Sequence, residues 1–200
     1  MVVTETVRVR VAGHEYSLRA LIDRLQCDDP MFGVLWPAGI GLAEEMSAFP
    51  VGGKRILEAG CGLALPSLVL KRRGADITAT DHHPEAEEFL RFNAQANGIA
   101  EVPFKLGAWS DVQLGTFDLI IGADLLYEPD HPAQLAAFIA RHAAPGARVV
   151  IADPGRRQLG AFHKLIAAQG YARAEKRYPP DVRVLSYVAS AQSPEDQRAA

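Results

Sequence analysis

R-I-L-E-A-G-C-G-L-A-L-P-S-L-V-L-K-R-R-G-A-D-I-T-A-T-D-H-H-P, residues Arg55 to Pro84, is the stretch whose reading decides the fold. Ile56 and Leu57 form a short apolar run into Glu58. Gly60 and Gly62 then open a helix whose apolar positions Leu65, Leu68, Val69 and Leu70 recur at helical spacing. Gly74 is the natural stop, and Ile77 to Thr80 alternate into Asp81. Strand, glycine loop, helix, turn and strand in that order predict a parallel unit of an open α/β sheet. Such sheets bind ligands at the carboxyl ends of their strands, beside the switch point. Glu58, Gly60, Gly62 and Asp81 are therefore expected to meet at a nucleotide-type cofactor site.

Charge separates the cofactors that such a site could take. Asp81, at the end of the second strand, suits the hydroxyls of a ribose, whether of NAD or of S-adenosylmethionine. A dinucleotide would set its pyrophosphate against the first loop and helix N-terminus, where Glu58 would repel it. S-adenosylmethionine has no phosphate and carries an ammonium and a sulfonium, which a carboxylate favours. The third glycine of a dinucleotide fingerprint is also missing, with Leu65 and Pro66 in its place. The blander alternative is that Glu58 is a solvated strand-end acid and the glycines only make a turn.

Working outward toward the N-terminus, L-W-P-A-G precedes the first strand. Pro37 suits a helix start, with Ile40, Ala43 and Met46 to Ala48 as its buried stripe. Trp36 is either a core anchor or a wall of the site. Val7, Val9 and Val11 alternate with Arg8 and Arg10 as a strand. Residues 1–35 read as an N-terminal extension packed on a main domain of residues 36–190, followed by a polar tail, residues 191–200, expected to be disordered.

On the other side, Pro84 suits the first position of a helix to about Asn97, and Val102 to Leu106 reads as the third strand. Trp109 follows it, where a flat apolar surface could clamp an adenine. A buried structural role is the equal alternative. The fourth strand, F-D-L-I-I-G-A, is apolar enough for a central parallel strand. Asp124 and Tyr127 follow at its carboxyl end. If they form one helical turn, both side chains project toward the cofactor. A helix from there to about His142 and a loop at Ala143–Gly146 precede the fifth strand, Ala147 to Ala152. Asp153 and Arg156 then read as a capped turn, the alternative being that Arg156 faces an acidic group of the substrate. After a helix from Leu159 to Gln169, Tyr171–Tyr178 and Val182–Ala189 read as a closing antiparallel pair.

The 200 residues, 48% hydrophobic and 22% charged, suit one globular domain. A formal net charge of -3 leaves no electrostatic footprint for nucleic acid or an anionic membrane. No apolar run has the length of a membrane span, and the N-terminus lacks a signal-peptide pattern. Lys71-Arg72-Arg73 reads as a solvated helix end. The two cysteines, Cys27 and Cys61, suggest no disulfide framework and suit the cytoplasm. His82 and His83 are adjacent and make a poor metal pair, so no metal site is expected.

E-A-G-C-G-L-A-L-P, T-D-H-H-P and G-A-D-L-L-Y together resemble the seven-β-strand S-adenosylmethionine-dependent methyltransferases. Asp124-Leu125-Leu126-Tyr127, L-W-P-A-G and Trp109 narrow the resemblance to the methyltransferase family 16 group of protein lysine methyltransferases. It covers about Leu35 to Ala189. The resemblance implies a Rossmann-like sheet of order 3-2-1-4-5-7-6. It implies that Trp36, Glu58, Gly60, Gly62, Asp81, Trp109 and Asp124 bind S-adenosylmethionine, and that Asp124 and Tyr127 face the acceptor amine as catalytic residues. The expected partner is a protein with a target lysine, not nucleic acid or a membrane, and the expected state is a monomer. A small-molecule amine methyltransferase is the main alternative, and an NAD-dependent oxidoreductase a remote one. Glu58 departs from the family pattern, which has Asp more often at that position.

Overall fold

The computed structural model of the chain describes residues 3–22 and 30–189. Alternating valines and arginines form β1 (Thr4–Val11), paired antiparallel with β2 (His14–Leu21) across a turn at Ala12–Gly13. A 3-10 turn, Pro30–Gly33, precedes α1 (Pro37–Ala48). Pro37 occupies its first turn, where a missing N–H is no loss. Ala43 and Met46 are buried there as expected, joined by Leu42, while Ala48 is exposed.

The central sheet is built from β3 (Arg55–Ala59), β4 (Asp76–Asp81), β5 (Phe104–Leu106), β6 (Phe117–Ala123), β7 (Ala143–Asp153), β8 (Tyr171–Tyr178) and β9 (Val182–Ala189). Its order is β5-β4-β3-β6-β7-β9-β8, which in order of appearance is the expected 3-2-1-4-5-7-6. Strands β5 through β7 run parallel, and β9 is antiparallel to both β7 and β8. The helices are α2 (Leu65–Arg72), α3 (Ala86–Ala96), α4 (His131–His142) and α5 (Leu159–Ala168). Two apolar clusters lie on the two faces of the sheet. Ile56, Leu119 and Ile121 pack with Leu42, Leu68 and Phe89 on one side; Leu57 and Ile120 pack with Phe138, Phe162 and Ile166 on the other. Burial on both faces explains why β3 and β6 read as continuous apolar runs. Each such side chain contributes about 1.5–3 kcal/mol. The chain crosses from one face to the other between β3 and β6, which opens a crevice at their carboxyl ends.

Several boundaries differ from expectation. The helix after β4 begins at Ala86, two residues beyond Pro84, because Asp81 and His83 first make a turn through the His83 N–H. β5 begins at Phe104 and not Val102. Ala143–Gly146 is the start of β7 and not a loop. The basic helix end is not merely solvated: Arg73 donates to the carbonyls of Met46 and Phe49 (2.5 and 2.8 Å), and Arg72 donates to the carbonyl of Asn97 (3.1 Å). These guanidiniums satisfy backbone acceptors that helix and loop ends leave open.

The β1–β2 hairpin is stitched to α3 by two asparagines that imitate a strand. Asn97 accepts from the Ser17 N–H (2.9 Å) and donates to the Ser17 carbonyl (2.8 Å). Asn93, fully buried, accepts from the Arg19 N–H (2.7 Å) and donates to the Leu63 carbonyl in the glycine loop (3.2 Å). Among the described residues, no helix is long and apolar enough to cross a membrane. Cys27 and the tail at 191–200 lie outside the described residues.

Candidate active site

β3 delivers Glu58 to the carboxyl edge of the sheet, where it is only 1% exposed. Its Oε2 accepts from the Ser67 N–H (3.0 Å) and from the Ser67 hydroxyl in the first turn of α2. Burial pushes the carboxyl up to about 8; the Ser67 hydrogen bonds act against this, and the nearby Asp81 adds to it. Glu58 is therefore neither a solvated strand-end acid nor a bare anion in the ligand-free protein.

The glycine loop must pass close to two other segments. Gly62 has φ +52°, and a Cβ there would stand 2.9 Å from the Phe32 carbonyl oxygen. Gly60 has φ +58°, and its Cβ would stand 2.6 Å from Leu125. Both conformations favour glycine. The Gly62 N–H donates to Asp81 Oδ2 (2.9 Å) and the His83 N–H to Asp81 Oδ1 (2.9 Å), which fixes this carboxylate beside the loop. Cys61 is buried, and burial raises its thiol well above the ordinary range, so it packs and stays unreactive.

After β6 the chain does not make the anticipated helical turn. Asp124 adopts a left-handed backbone (φ 62°) and donates its N–H to the Ala152 carbonyl on β7 (2.9 Å). The segment to Tyr127 is irregular, and α4 starts only at His131. Hydrogen bonding across to β7 takes the place of helix propagation and still turns Asp124 into the site. Burial raises the Asp124 carboxyl; Arg156 pulls it down, and Asp153 pushes it up again. The capped turn after β7 is present, with Asp153 Oδ1 accepting from the Gly155 and Arg156 N–H groups (both 2.7 Å). The Arg156 side chain, however, forms an ion pair with Asp124 Oδ1.

Trp36, Glu58, Gly60, Gly62, Asp81, Trp109, Asp124 and Tyr127 all line one cavity of about 730 Å³. That volume is of the size that holds a cofactor-like ligand. Trp36 and Trp109 are half-buried walls, Trp109 also packing against the core, and the Trp36 indole donates to the Met31 carbonyl (3.0 Å). His131 was not singled out from the sequence. Its ring meets the edges of Tyr127 and Trp109 at centroid distances of 4.4 and 5.4 Å, and its Nδ1–H donates to the Leu125 carbonyl (2.7 Å). Only its spacing, four residues after Tyr127, could have drawn attention to it. Phe32 and Ser67 were missed as well, since a contact across loops leaves no local pattern.

The carboxyl groups on the wall outnumber its basic groups, the histidines His82 and His131. Glu58, Asp81, Asp124 and Glu128 line the cavity, while no lysine or arginine does so among the described residues. Such a lining suits a cationic ligand and opposes a pyrophosphate. Among the described residues, no His, Cys, Asp or Glu side chains gather in the threes a metal ion needs.

A family model described as "Methyltransferase domain" matches residues 16–188. The chain belongs to this methyltransferase family. It is 32% identical over 155 residues to the electron transfer flavoprotein beta subunit lysine methyltransferase of Rattus norvegicus, covering 76% of this chain and 60% of that protein. It is 30% identical over 201 residues to EEF1A lysine methyltransferase 3 of Mus musculus, covering 93% and 82%. The chain thus spans about 60% of the length of the first of these relatives. Among solved structures, a methyltransferase from Pyrococcus furiosus has the same fold, with a TM-score of 0.65, 22% identity, and coverage of 76% of this chain and 83% of that one.

The family implies S-adenosylmethionine, and the residues present fit it. The Asp81 carboxylate lies beside a loop that would otherwise attract phosphate, and the buried Glu58 carboxyl ionises in favour of a cationic ligand. The aromatic wall of Trp36 and Trp109 offers apolar surface for a base. The Ser67 N–H, which a dinucleotide's pyrophosphate would use, is already held by Glu58.

Proposed function

We propose that this chain is an S-adenosylmethionine-dependent N-methyltransferase that methylates a lysine side chain of a protein. The observation that supports it most is the cavity wall, where Asp124 and Tyr127 stand with Glu58 and Asp81, and where no lysine or arginine stands among the described residues. The names of the relatives above point to the same acceptor class. When bound, S-adenosylmethionine supplies a methyl on a sulfonium; the amine nitrogen bonds to that carbon as its bond to sulfur breaks, leaving S-adenosylhomocysteine.

Charge moves from sulfur to nitrogen and never becomes negative. The site therefore calls for a sustained negative field and not an oxyanion hole. Asp124 supplies that field at the end of β6. Tyr127, with its ring braced by His131, sets the direction of approach. Asp81 holds the ribose end, and Glu58 faces the cationic end of the cofactor. Orientation of this kind can lower the barrier by several kcal/mol, up to about 7–11. An alkylammonium with an ordinary pKa near ~10.4 must first release a proton to water.

A protein partner, a monomeric state, a cytoplasmic site of action and independence from nucleic acid and membranes belong to the same proposal. The net charge of -3 and the buried free thiol of Cys61 support it. An NAD-dependent oxidoreductase is disfavoured by the acidic wall. Calorimetric titration with S-adenosylhomocysteine and with NADH tests the cofactor, and binding of the first alone is expected. Incubation with cell extract and a labelled methyl donor then tests the acceptor. Label on lysine in a protein band supports the proposal, whereas label confined to small metabolites replaces it with small-molecule amine methylation.

A further inference from the structure

Asp124 raises a chemical difficulty that the same corner of the fold answers. A bare carboxylate beside an amine favours the ammonium, and an ammonium has no lone pair with which to attack a methyl group. Asp124 is not bare. The guanidinium of Arg156 pairs with its Oδ1, and Arg156 is absent from the residues that line the cavity. Asp124 forms the wall, and Arg156 reaches it from the turn after β7.

The ion pair is not needed to shape the turn that carries it. Asp153 Oδ1 already holds the Gly155 and Arg156 N–H groups at 2.7 Å each. Asp124 Oδ1 is buried with no hydrogen-bond partner, so the Arg156 guanidinium is the group that answers its charge; the Arg156 Nε is buried without a hydrogen-bond partner as well. Asp153 on β7 acts on the pair, Arg183 is its register partner on β9, and Tyr127, Glu128, His131 and Glu58 line the same cavity as Asp124. The Arg156 guanidinium offsets the carboxylate of Asp124. Arg183 stays close, since a Cβ on Gly155 would meet its Nε at 3.3 Å.

We propose that Arg156 is a positioning residue for methyl transfer, acting through Asp124. By sharing the carboxylate from the β7 side, it weakens without cancelling the field that Asp124 presents, so that the acceptor sits there as a free amine and not as an ammonium. The proton leaves to water before transfer, and Arg156 itself neither donates nor accepts it. This inference rests on the lysine-methyltransferase proposal above, since it concerns how that acceptor loses its proton.

The test compares wild type, Arg156→Gln and Arg156→Lys in methyl transfer across pH, with kcat and KM measured separately. The probe is purified electron transfer flavoprotein beta subunit, together with any protein labelled in cell extract. S-adenosylhomocysteine binding by calorimetry checks that each variant is folded. Removing the guanidinium leaves the carboxylate unopposed and raises the amine's pKa. The rising limb of kcat/KM for Arg156→Gln should therefore move to higher pH by about one unit or more. Near neutral pH this is a loss of about tenfold, regained at alkaline pH. Arg156→Lys, which keeps the charge, should track the wild-type profile. Lysine methylation by wild type with an unshifted profile in Arg156→Gln would overturn the role of Arg156 alone. Wild type that labels no lysine at any pH would overturn the functional proposal, and this inference with it.

Discussion

Replacing Glu58 by Gln keeps the side chain's shape and an acceptor oxygen for Ser67, and removes only its ability to ionise. In the ligand-free protein, burial pushes the Glu58 carboxyl up from the ordinary 4.5 to about 8. A folded-state pKa above the unfolded one contributes stability that is whole below the unfolded value and lost as pH rises through the folded value. The window therefore runs from about pH 4.5 to about pH 8. Each unit is worth about 1.4 kcal/mol. Between about pH 5.5 and about pH 8.5 the wild type should thus lose about 3 kcal/mol of stability relative to Glu58→Gln. Urea denaturation of both ligand-free proteins at both pH values measures the gap. A cationic cofactor reverses the preference, because it favours the ionised carboxylate. Near pH ~7, S-adenosylmethionine binding should release close to one proton in wild type and none from this position in the variant. Calorimetry in two buffers of different ionisation enthalpy reads that proton. A stability gap independent of pH, together with no proton released on binding, would refute the account of Glu58 as a buried acid that the cofactor ionises.

Asp124→Asn should leave S-adenosylhomocysteine affinity little changed and lower methyl transfer by about 100-fold or more, as removal of a preorganised electrostatic group does; retained transfer would remove Asp124 from the mechanism. Gly62→Ala forces a left-handed alanine, costing about 1–2 kcal/mol, and drives a methyl toward the Phe32 carbonyl. Its expected signature is a lower melting temperature with weakened cofactor binding. Asn93→Ala strands the partly buried Arg19 N–H and the buried Leu63 carbonyl. At about 1–3 kcal/mol for each unsatisfied group, denaturation should show a loss of about 2–6 kcal/mol, whereas a neutral result would mean that the hairpin is not held by this amide.

The sheet was legible because its evidence is local. Apolar runs in Arg55–Ala59 and Phe117–Ala123, glycine stops and terminal acids set both the elements and the edge at which they converge. The candidate residues that share the cavity could be named for the same reason, since strand ends deliver side chains to one crevice. What escaped was everything decided by contacts across the chain. The ionisation of Glu58 depends on Ser67 and burial, which no residue spacing encodes. The left-handed turn at Asp124 depends on the Ala152 carbonyl of a neighbouring strand, which outcompeted the helical spacing of Asp-x-x-Tyr. The capped turn at Asp153 was readable from local turn chemistry, but the reach of Arg156 to Asp124 was not. The basic run at Lys71–Arg73 misled because helix-end charges usually meet water, while here loop carbonyls face them.

The central sheet closes neither of its margins into a barrel, yet neither margin invites another chain. One border, β5, is only three residues long. The other, β8, is longer, and almost all of it is exposed, but it displays Arg173, Glu175, Lys176 and Arg177 along its length. A short border and a charged one are the means by which natural sheets avoid edge-to-edge pairing and aggregation. Replacing the β8 charges with β-branched apolar residues would leave the site untouched and turn that border into a template for fibrous association.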